Sequence, residues 1–463
     1  MILVVGGFLR FYQVGEWMHF GQDEGRDAFL IKSIAAEGDI QLLGPAAPNN
    51  SPDFHLGPAF YYLLVPFYWL SGMSPAGGAW AIALFSFLSI FLVYLVGKSF
   101  FSWRTGLMAA ALYGTSFMMV YYGRWAWNPN IVPFFALLIF LSLYKLAKPR
   151  DNGRNEFYLY VLAISFGLII QLHGTVLIIL PITLLFYFII FRPKISWKKY
   201  LLAFLIIIIL NLPLIVYDLT NNFDNTKGFW AVISQSESGQ TVSWFSHIKT
   251  TYRVWEDFWR EVLLPNELDL LFFILFAGSV VFLLIKLGAH IKNRKKEPAF
   301  ILLVLWFFIP FLIFTFYKEA IPTHYFSFLF PLPFIMLAGV LDFFWREGFV
   351  KALVVVFVSG IFGWQLYYSI NLLNDLKPEG ARASSYPVTL AEMEQAVDYI
   401  TNNSGGERFN FICDNYYRSF EYLFDQQGAA VSVTPEVLRY EVVIGGSEGK
   451  RFGNLSVLKG IDN

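Results

Sequence analysis

Apolar stretches long enough to cross a bilayer recur along this chain, and they restrict its fold more than any other feature. A spanning helix needs roughly 17 to 25 mainly apolar residues. Runs near that length extend from Trp80 to Val96, Gly106 to Tyr121, Ile131 to Leu146, Phe157 to Leu172, Thr175 to Phe191 and Tyr200 to Tyr217. Further runs extend from Leu268 to Ile285, Ala299 to Tyr317, Tyr325 to Phe344 and Phe349 to Tyr367. The stretch from Met1 to Leu9 is apolar but too short to cross alone, so the true start is expected upstream. Composition agrees: 56% of the 463 residues are hydrophobic and 15% charged, against roughly 25% charged in soluble domains. Fifty Phe, 25 Tyr and 14 Trp suit aromatic belts at the membrane interfaces.

The 34 basic and 34 acidic residues cancel, which leaves no overall field to attract nucleic acid. Cys413 is the one cysteine, so no intrachain disulfide forms and no cysteine-based metal motif exists.

Lys and Arg gather in cytoplasmic loops, and this sets the expected orientation. Lys98 with Arg104, Lys145 to Arg154, Arg192 to Lys199, Lys286 to Lys296, and Arg346 with Lys351 fall in every second loop. The connections Tyr122 to Asn130, Asp218 to Glu267, Lys318 to His324, and the chain after about Tyr368, then lie outside. Pro58 to Leu70 is short, contains Pro66 and is rich in Tyr and Trp, as befits an interfacial or re-entrant helix. The expected architecture is an all-α polytopic membrane protein of about eleven transmembrane helices plus interfacial helices. Residues 1–368 form the membrane domain, with an outer loop over 10–79, and residues 369–463 form a small extracytoplasmic α/β domain. In that domain Thr389 caps a helix reaching Asn402, and Arg408 to Cys413, Tyr440 to Ile444 and Leu455 to Leu458 read as strands. It contains no phosphate-cradling loop or nucleophile elbow, so an accessory or acceptor-recognition role is expected.

Four polar segments fall on the outer side. In His19 to Ala28, Asp23 and Asp27 are four residues apart and Arg26 is three from Asp23, so a helix starting here brings two carboxylates and a guanidinium together. That pattern serves acid/base work or anion binding. It equally serves a plain helix start, with Asp23 as cap and Glu24 complementing the helix dipole. The second segment carries His55, Pro58 and Tyr61; the third runs Arg124-Trp-Ala-Trp127-Asn128-Pro-Asn130; the fourth holds Lys318, His324 and Tyr325, followed by Pro331 and Pro333. His173 reads as a structural residue at an outer turn. Asp218, Asp224, Glu256, Asp257 and Glu261 read mainly as a solvated face, and Trp244, Trp255 and Trp259 either stack on sugars or anchor at headgroups.

In the order of these segments the chain resembles the GT-C class of polyprenyl-phosphate-sugar-dependent glycosyltransferases, particularly the branch of protein O-mannosyltransferases and lipid A aminoarabinose transferases. The resemblance rests on Asp23-Glu24 opening the first outer loop, His55-Leu-Gly-Pro-Ala-Phe-Tyr61, Gly123-Arg124-Trp-Ala-Trp-Asn128, and His324-Tyr325 with Pro331 and Pro333. Asn128 stands where many relatives have Asp, and a double Pro is reduced to Pro58. The resemblance implies a monosaccharide donor on polyprenyl phosphate, a hydroxyl acceptor on protein, lipid or glycan, and inversion. It leaves a divalent metal open and requires no nucleotide site.

Chemically, such transfer needs a carboxylate to take the acceptor's proton and fixed cations to stabilise the departing phosphate. Asp23 is the expected base and Glu24 the residue that orients acceptor or sugar. Arg26, Lys318, His324 and Arg124 are expected at the phosphate, with Asp27, His55, Tyr61, Asn128 and Tyr325 completing the substrate site. The rival reading is a transporter or flippase of a lipid-linked or polar solute, which favours midplane charges and half-chain repeats. A glycan polymerase or ligase is a third reading, with no use for an acidic pair directly after the first span.

Overall fold

The computed structural model describes residues 1–46, 54–148, 154–235, 244–264, 278–281, 297–317, 321–345, 348–377, 387–432, 438–446 and 448–460. The bundle begins with α1 (Ile2–Phe11), α2 (Gln22–Lys32), α3 (Ala59–Leu70), α4 (Ala76–Phe100), α5 (Trp103–Thr115) and α6 (Phe117–Tyr122). It continues with α7 (Val132–Ala147), α8 (Arg154–Ile169), α9 (Gly174–Phe191), α10 (Trp197–Leu210), α11 (Leu212–Thr220), α12 (Asp224–Gln235) and α13 (Trp244–Leu263). Helices α14 (Pro298–Thr315), α15 (Leu332–Phe343) and α16 (Phe349–Asp375) complete it.

Among the described residues five helices are long and apolar enough to cross a membrane, or seven if each bent pair is one span. This multi-pass architecture agrees with the apolar runs, although the described helices do not add up to eleven crossings. Part of the difference lies in α1 and α8, which are apolar but short, and other runs break. The run from Tyr200 to Tyr217 bends by 61° between α10 and α11, and the run from Tyr325 to Phe344 bends by 51° between a 3-10 segment (Thr323–Leu329) and α15. Proline explains both: Pro213 and Pro333 each lie in the first turn of the following helix, where the absent N–H costs least. The run from Gly106 to Tyr121 divides at Ser116 into α5 and α6, and that from Leu268 to Ile285 lies mostly outside the described residues.

Backbone groups freed inside an apolar bundle must find other partners. At the Ser116 break the Gln365 carbonyl accepts from the Phe117 N–H at 2.8 Å and Ser369 donates to the Thr115 carbonyl at 2.8 Å. Gln365 also donates to the carbonyls of Val262 and Leu263, so one buried amide ties α6, α13 and α16 together. At the other break Asn211 donates to the carbonyls of Gly167 and Ile207. Helices α4 and α5 cross closely because Gly97 and Gly106 face one another; a Cβ on Gly106 would stand 2.5 Å from the Tyr94 carbonyl. Small residues give this type of apolar packing its contact area.

After α16 the chain folds as α17 (Leu390–Asn403), β1 (Phe409–Cys413), α18 (Tyr417–Gln426), β2 (Leu438–Ile444), β3 (Lys450–Phe452) and β4 (Leu455–Gly460). The sheet order is β1-β2-β4-β3. β1 and β2 pair in parallel across α18, whereas the β2–β4 and β3–β4 pairs are antiparallel. Thr389 caps α17 as its sequence predicts, with the Glu392 carboxylate accepting from the Thr389 N–H and hydroxyl.

Candidate active site

The acidic segment does form a helix. Gly21 is its N-cap and the Glu24 carboxylate turns back to accept from the Gly21 N–H at 2.8 Å. Glu24, Gly25, Asp27, Ala28 and Ile31 form the buried face of α2, leaving Asp23 and Arg26 toward solvent. Of the three carboxylates on this helix, Asp23 alone is open, with 59% of its side chain exposed.

Arg26 joins two of them. Its Nη1 donates to Asp23 at 2.9 Å, while Nε and Nη2 donate to Asp27 Oδ1 at 2.9 and 2.8 Å. Tyr61, on α3, donates to the same Asp27 oxygen at 3.2 Å. Desolvation is the largest single influence on Arg26 and lowers its pKa, but Asp27 and Asp23 together outweigh it and hold the pKa above its ordinary value. Burial is also the main cause that pushes Asp27 up to about 6, opposed by Arg26. Burial pushes Glu24 further, up to about 8, against hydrogen bonds that favour the charged form. One of those bonds comes from Trp125 Nε1 at 2.5 Å. Neighbouring His19 is held down to about 4 by burial. With both oxygens on protein donors and 4% exposure, Glu24 holds the Trp125 segment against α2.

Rings continue the connection. His19 stands edge-on to Trp125 at 5.0 Å, Trp125 stacks on Trp127 at 4.7 Å, and Trp127 lies 4.5 Å from His324. His324 meets His173 at 5.7 Å and Tyr325 at 4.9 Å. The first, third and fourth polar segments thus meet in one aromatic row, and Tyr61 brings in the second. His173 caps α9 through Nδ1 and Thr175, the structural role its sequence position predicts, yet it also joins this row.

Arg124 and Asn128 make buried side-chain hydrogen bonds to backbone, and His55 and Tyr325 are held through their own backbone groups. Arg124 is fully buried, and its Nη1 donates to the carbonyls of Leu9 and Arg10 at the end of α1. Asn128 is buried and donates to the Leu172 carbonyl at 2.6 Å. His55 is held through its backbone by Asn225, which accepts from its N–H and donates to its carbonyl. The Tyr325 carbonyl accepts from Thr175. Trp255 and Trp259 are buried among Phe307, Phe311 and Phe326, where neither a sugar nor a headgroup reaches them. Lys318, the side chain of Trp244 and Asp53 lie outside the described residues. Sequence reasoning missed Trp125 as the Glu24 partner and missed α18, although Phe420, Leu423 and Phe424 recur there at helical spacing. Among the described residues no three His, Cys, Asp or Glu side chains gather as metal ligands, and Asp23 and Asp27 are occupied by Arg26.

The bundle, its broken helices and the terminal α/β unit together make a fold shared with solved membrane proteins. ArnT from Cupriavidus metallidurans, solved bound to undecaprenyl phosphate, superposes with a TM-score of 0.64 over 99% of this chain and 97% of that one, at 13% identity. The archaeal oligosaccharyltransferase AglB from Archaeoglobus fulgidus, solved with an inhibitory peptide and a dolichol-phosphate, gives a TM-score of 0.54 at 16% identity, over 94% of this chain and 63% of that one. At such identities the likeness is one of fold. Within the sequence, the family model for dolichyl-phosphate-mannose-protein mannosyltransferases matches residues 53–217, which hold the His55, Tyr61, Arg124 and Asn128 segments. No curated protein matches the sequence.

Proposed function

We infer that this protein transfers a monosaccharide from a polyprenyl-phosphate donor to a hydroxyl acceptor at the extracytoplasmic face of a plasma membrane, with inversion. The observation that carries the reading is Asp23: an exposed carboxylate, oriented by Arg26, on a helix tied through Glu24 to the Trp125–Trp127–His324 row. The acceptor oxygen attacks the anomeric carbon as its proton passes to Asp23, and the bond from that carbon to the phosphate oxygen breaks. The electron pair leaves on polyprenyl phosphate, whose charge Arg26, His324 and Lys318 meet. The ion pair with Arg26 is too exposed to add more than about 1 kcal/mol of stability, so its use is orientation. Glu24 and Tyr61 hold this arrangement in place, and the half-buried Trp127 and His324 rings offer a face to the sugar. Similarity to ArnT and to the mannosyltransferase family model supports the donor class.

The test is transfer of radiolabel from a panel of polyprenyl-phosphate monosaccharides to membrane extract by the purified protein. Asp23→Asn is expected to lower kcat by roughly 10²- to 10⁴-fold, the usual contribution of a general base. Full activity in that variant removes the base assignment. Donor translocation without transfer in the wild type favours the transporter reading.

A further inference from the structure

The terminal α/β unit meets the candidate site where α18 lies along α2, and the start of α17 donates to the Met18 and Glu16 carbonyls just before α2. The contacts on α2 fall at Gln22, Gly25, Phe29 and Lys32, a single stripe at helical spacing. Gln22 accepts from the Arg418 N–H at 3.0 Å, and just before it the Gly21 carbonyl accepts from the Ser419 hydroxyl at 2.6 Å. Phe29 meets Tyr422 edge-on at 5.0 Å, and Tyr422 also donates to the Met73 carbonyl at 2.6 Å. Lys32 pairs with Asp425 at 2.5 Å.

Gly25 sets the approach. A Cβ there would stand 2.5 Å from the Ser419 nitrogen and 2.6 Å from the Arg418 carbonyl carbon, so the two backbones meet where only glycine fits. Glycine inside a helix is less stable than alanine, so its place here follows from the close approach. Two residues from Asp23 is about 200° around a helix, so α18 supports α2 from the side opposite that carboxylate. Tyr416, which precedes α18, reaches the aromatic row itself, edge-on to His19 at 6.0 Å.

We propose that the C-terminal unit is a positioning device for the acid-bearing helix: α18 fixes the height and rotation of α2, and so the place of Asp23 relative to the Trp125–Trp127 row. The catalytic half of this proposal rests on Asp23 being the base; the docking half does not. Gly25 and Tyr422 are its positioning residues.

The experiment uses the full-length protein in nanodiscs, with hydrogen exchange as one readout and transfer from undecaprenyl-phosphate-linked mannose as the other. Gly25→Ala and Tyr422→Ala are expected to speed exchange in α2 while β1 and β2 keep their protection. They are also expected to lower kcat by roughly a hundredfold, the cost of about 1 Å of misplacement, with donor KM little changed. Tyr422→Phe keeps the ring against Phe29 and loses the hydrogen bond to Met73, so its exchange and kcat are expected to fall between those of the wild type and of Tyr422→Ala. Unchanged exchange in both alanine variants overturns the docking, and faster exchange with unchanged kcat overturns the positioning. Asp23→Asn in the same assay separates the two readings: if it transfers at the wild-type rate, the base assignment falls while exchange still decides the docking. If the wild type itself transfers nothing, the transferase reading and the positioning role fall together, and exchange alone decides whether α18 holds α2.

Discussion

A carboxyl group taken out of water favours its neutral form, and this governs how Glu24 responds to pH. Its pKa rises from 4.5 to about 8 through burial, so between those values the folded protein holds a proton that the unfolded chain has released. The stability this contributes is fully present below about 4.5 and is lost as pH rises through about 8. Asp27, raised from 3.8 to about 6, has the same sign, but its loss is complete earlier. His19, lowered from 6.5 to about 4, acts oppositely: its contribution is present above 6.5 and lost as pH falls through 4. The unfolding temperature of the detergent-solubilised protein is therefore expected to fall between about pH 6.5 and 8, above the His19 and Asp27 windows, and Glu24→Gln is expected to flatten that limb. An unchanged slope in the variant assigns the limb to another group. The acidic pair was legible from the spacing of Asp23, Arg26 and Asp27, but the division of labour within it was not. Adjacent residues of one type differ here only through what surrounds them: solvent at Asp23, and Trp125 and the Gly21 N–H at Glu24.

Helix breaks set the site at the next scale. Those at Asn211 and Phe330 have prolines beside them, so local chemistry announces them. The break at Ser116 has none; it depends on Gln365 and Ser369, about 250 residues further along, which accept and donate in place of the missing helical bonds. Replacing Gln365 with leucine would leave the Phe117 N–H and the Val262 and Leu263 carbonyls without this partner, at about 1–3 kcal/mol for each group left unmade. Gln365→Leu is thus expected to lower the unfolding midpoint clearly, whereas Gln365→Glu keeps an acceptor for Phe117 and should cost less. Denaturant titration in detergent measures both. Helix α18 has the converse history: its apolar spacing is local, but its importance comes from the Gly25 stripe on a distant helix.

At the scale of the whole molecule, the alternation of basic loops predicts that Arg192 to Lys199 and the terminal α/β unit lie on opposite sides of the membrane. With the one native cysteine removed as Cys413→Ala, Asp414→Cys and Lys198→Cys place single thiols at exposed positions on these two segments. A membrane-impermeant maleimide is expected to label Asp414→Cys in intact cells and Lys198→Cys only after permeabilisation; the reverse pattern would invert the topology. By itself the sequence determined the membrane solvent, most of the apolar helices, the α/β character of the C-terminal unit and the four polar segments that meet. Each of these follows from local composition or from the period at which apolar side chains recur. Only the tertiary structure decided which polar groups face solvent and which serve as struts. Arg124 went to the end of α1, Asn128 to the Leu172 carbonyl, Glu24 to Trp125, and the terminal unit to the back of α2. A buried polar group takes whichever partner the fold brings within hydrogen-bond reach, and that partner is usually distant in sequence.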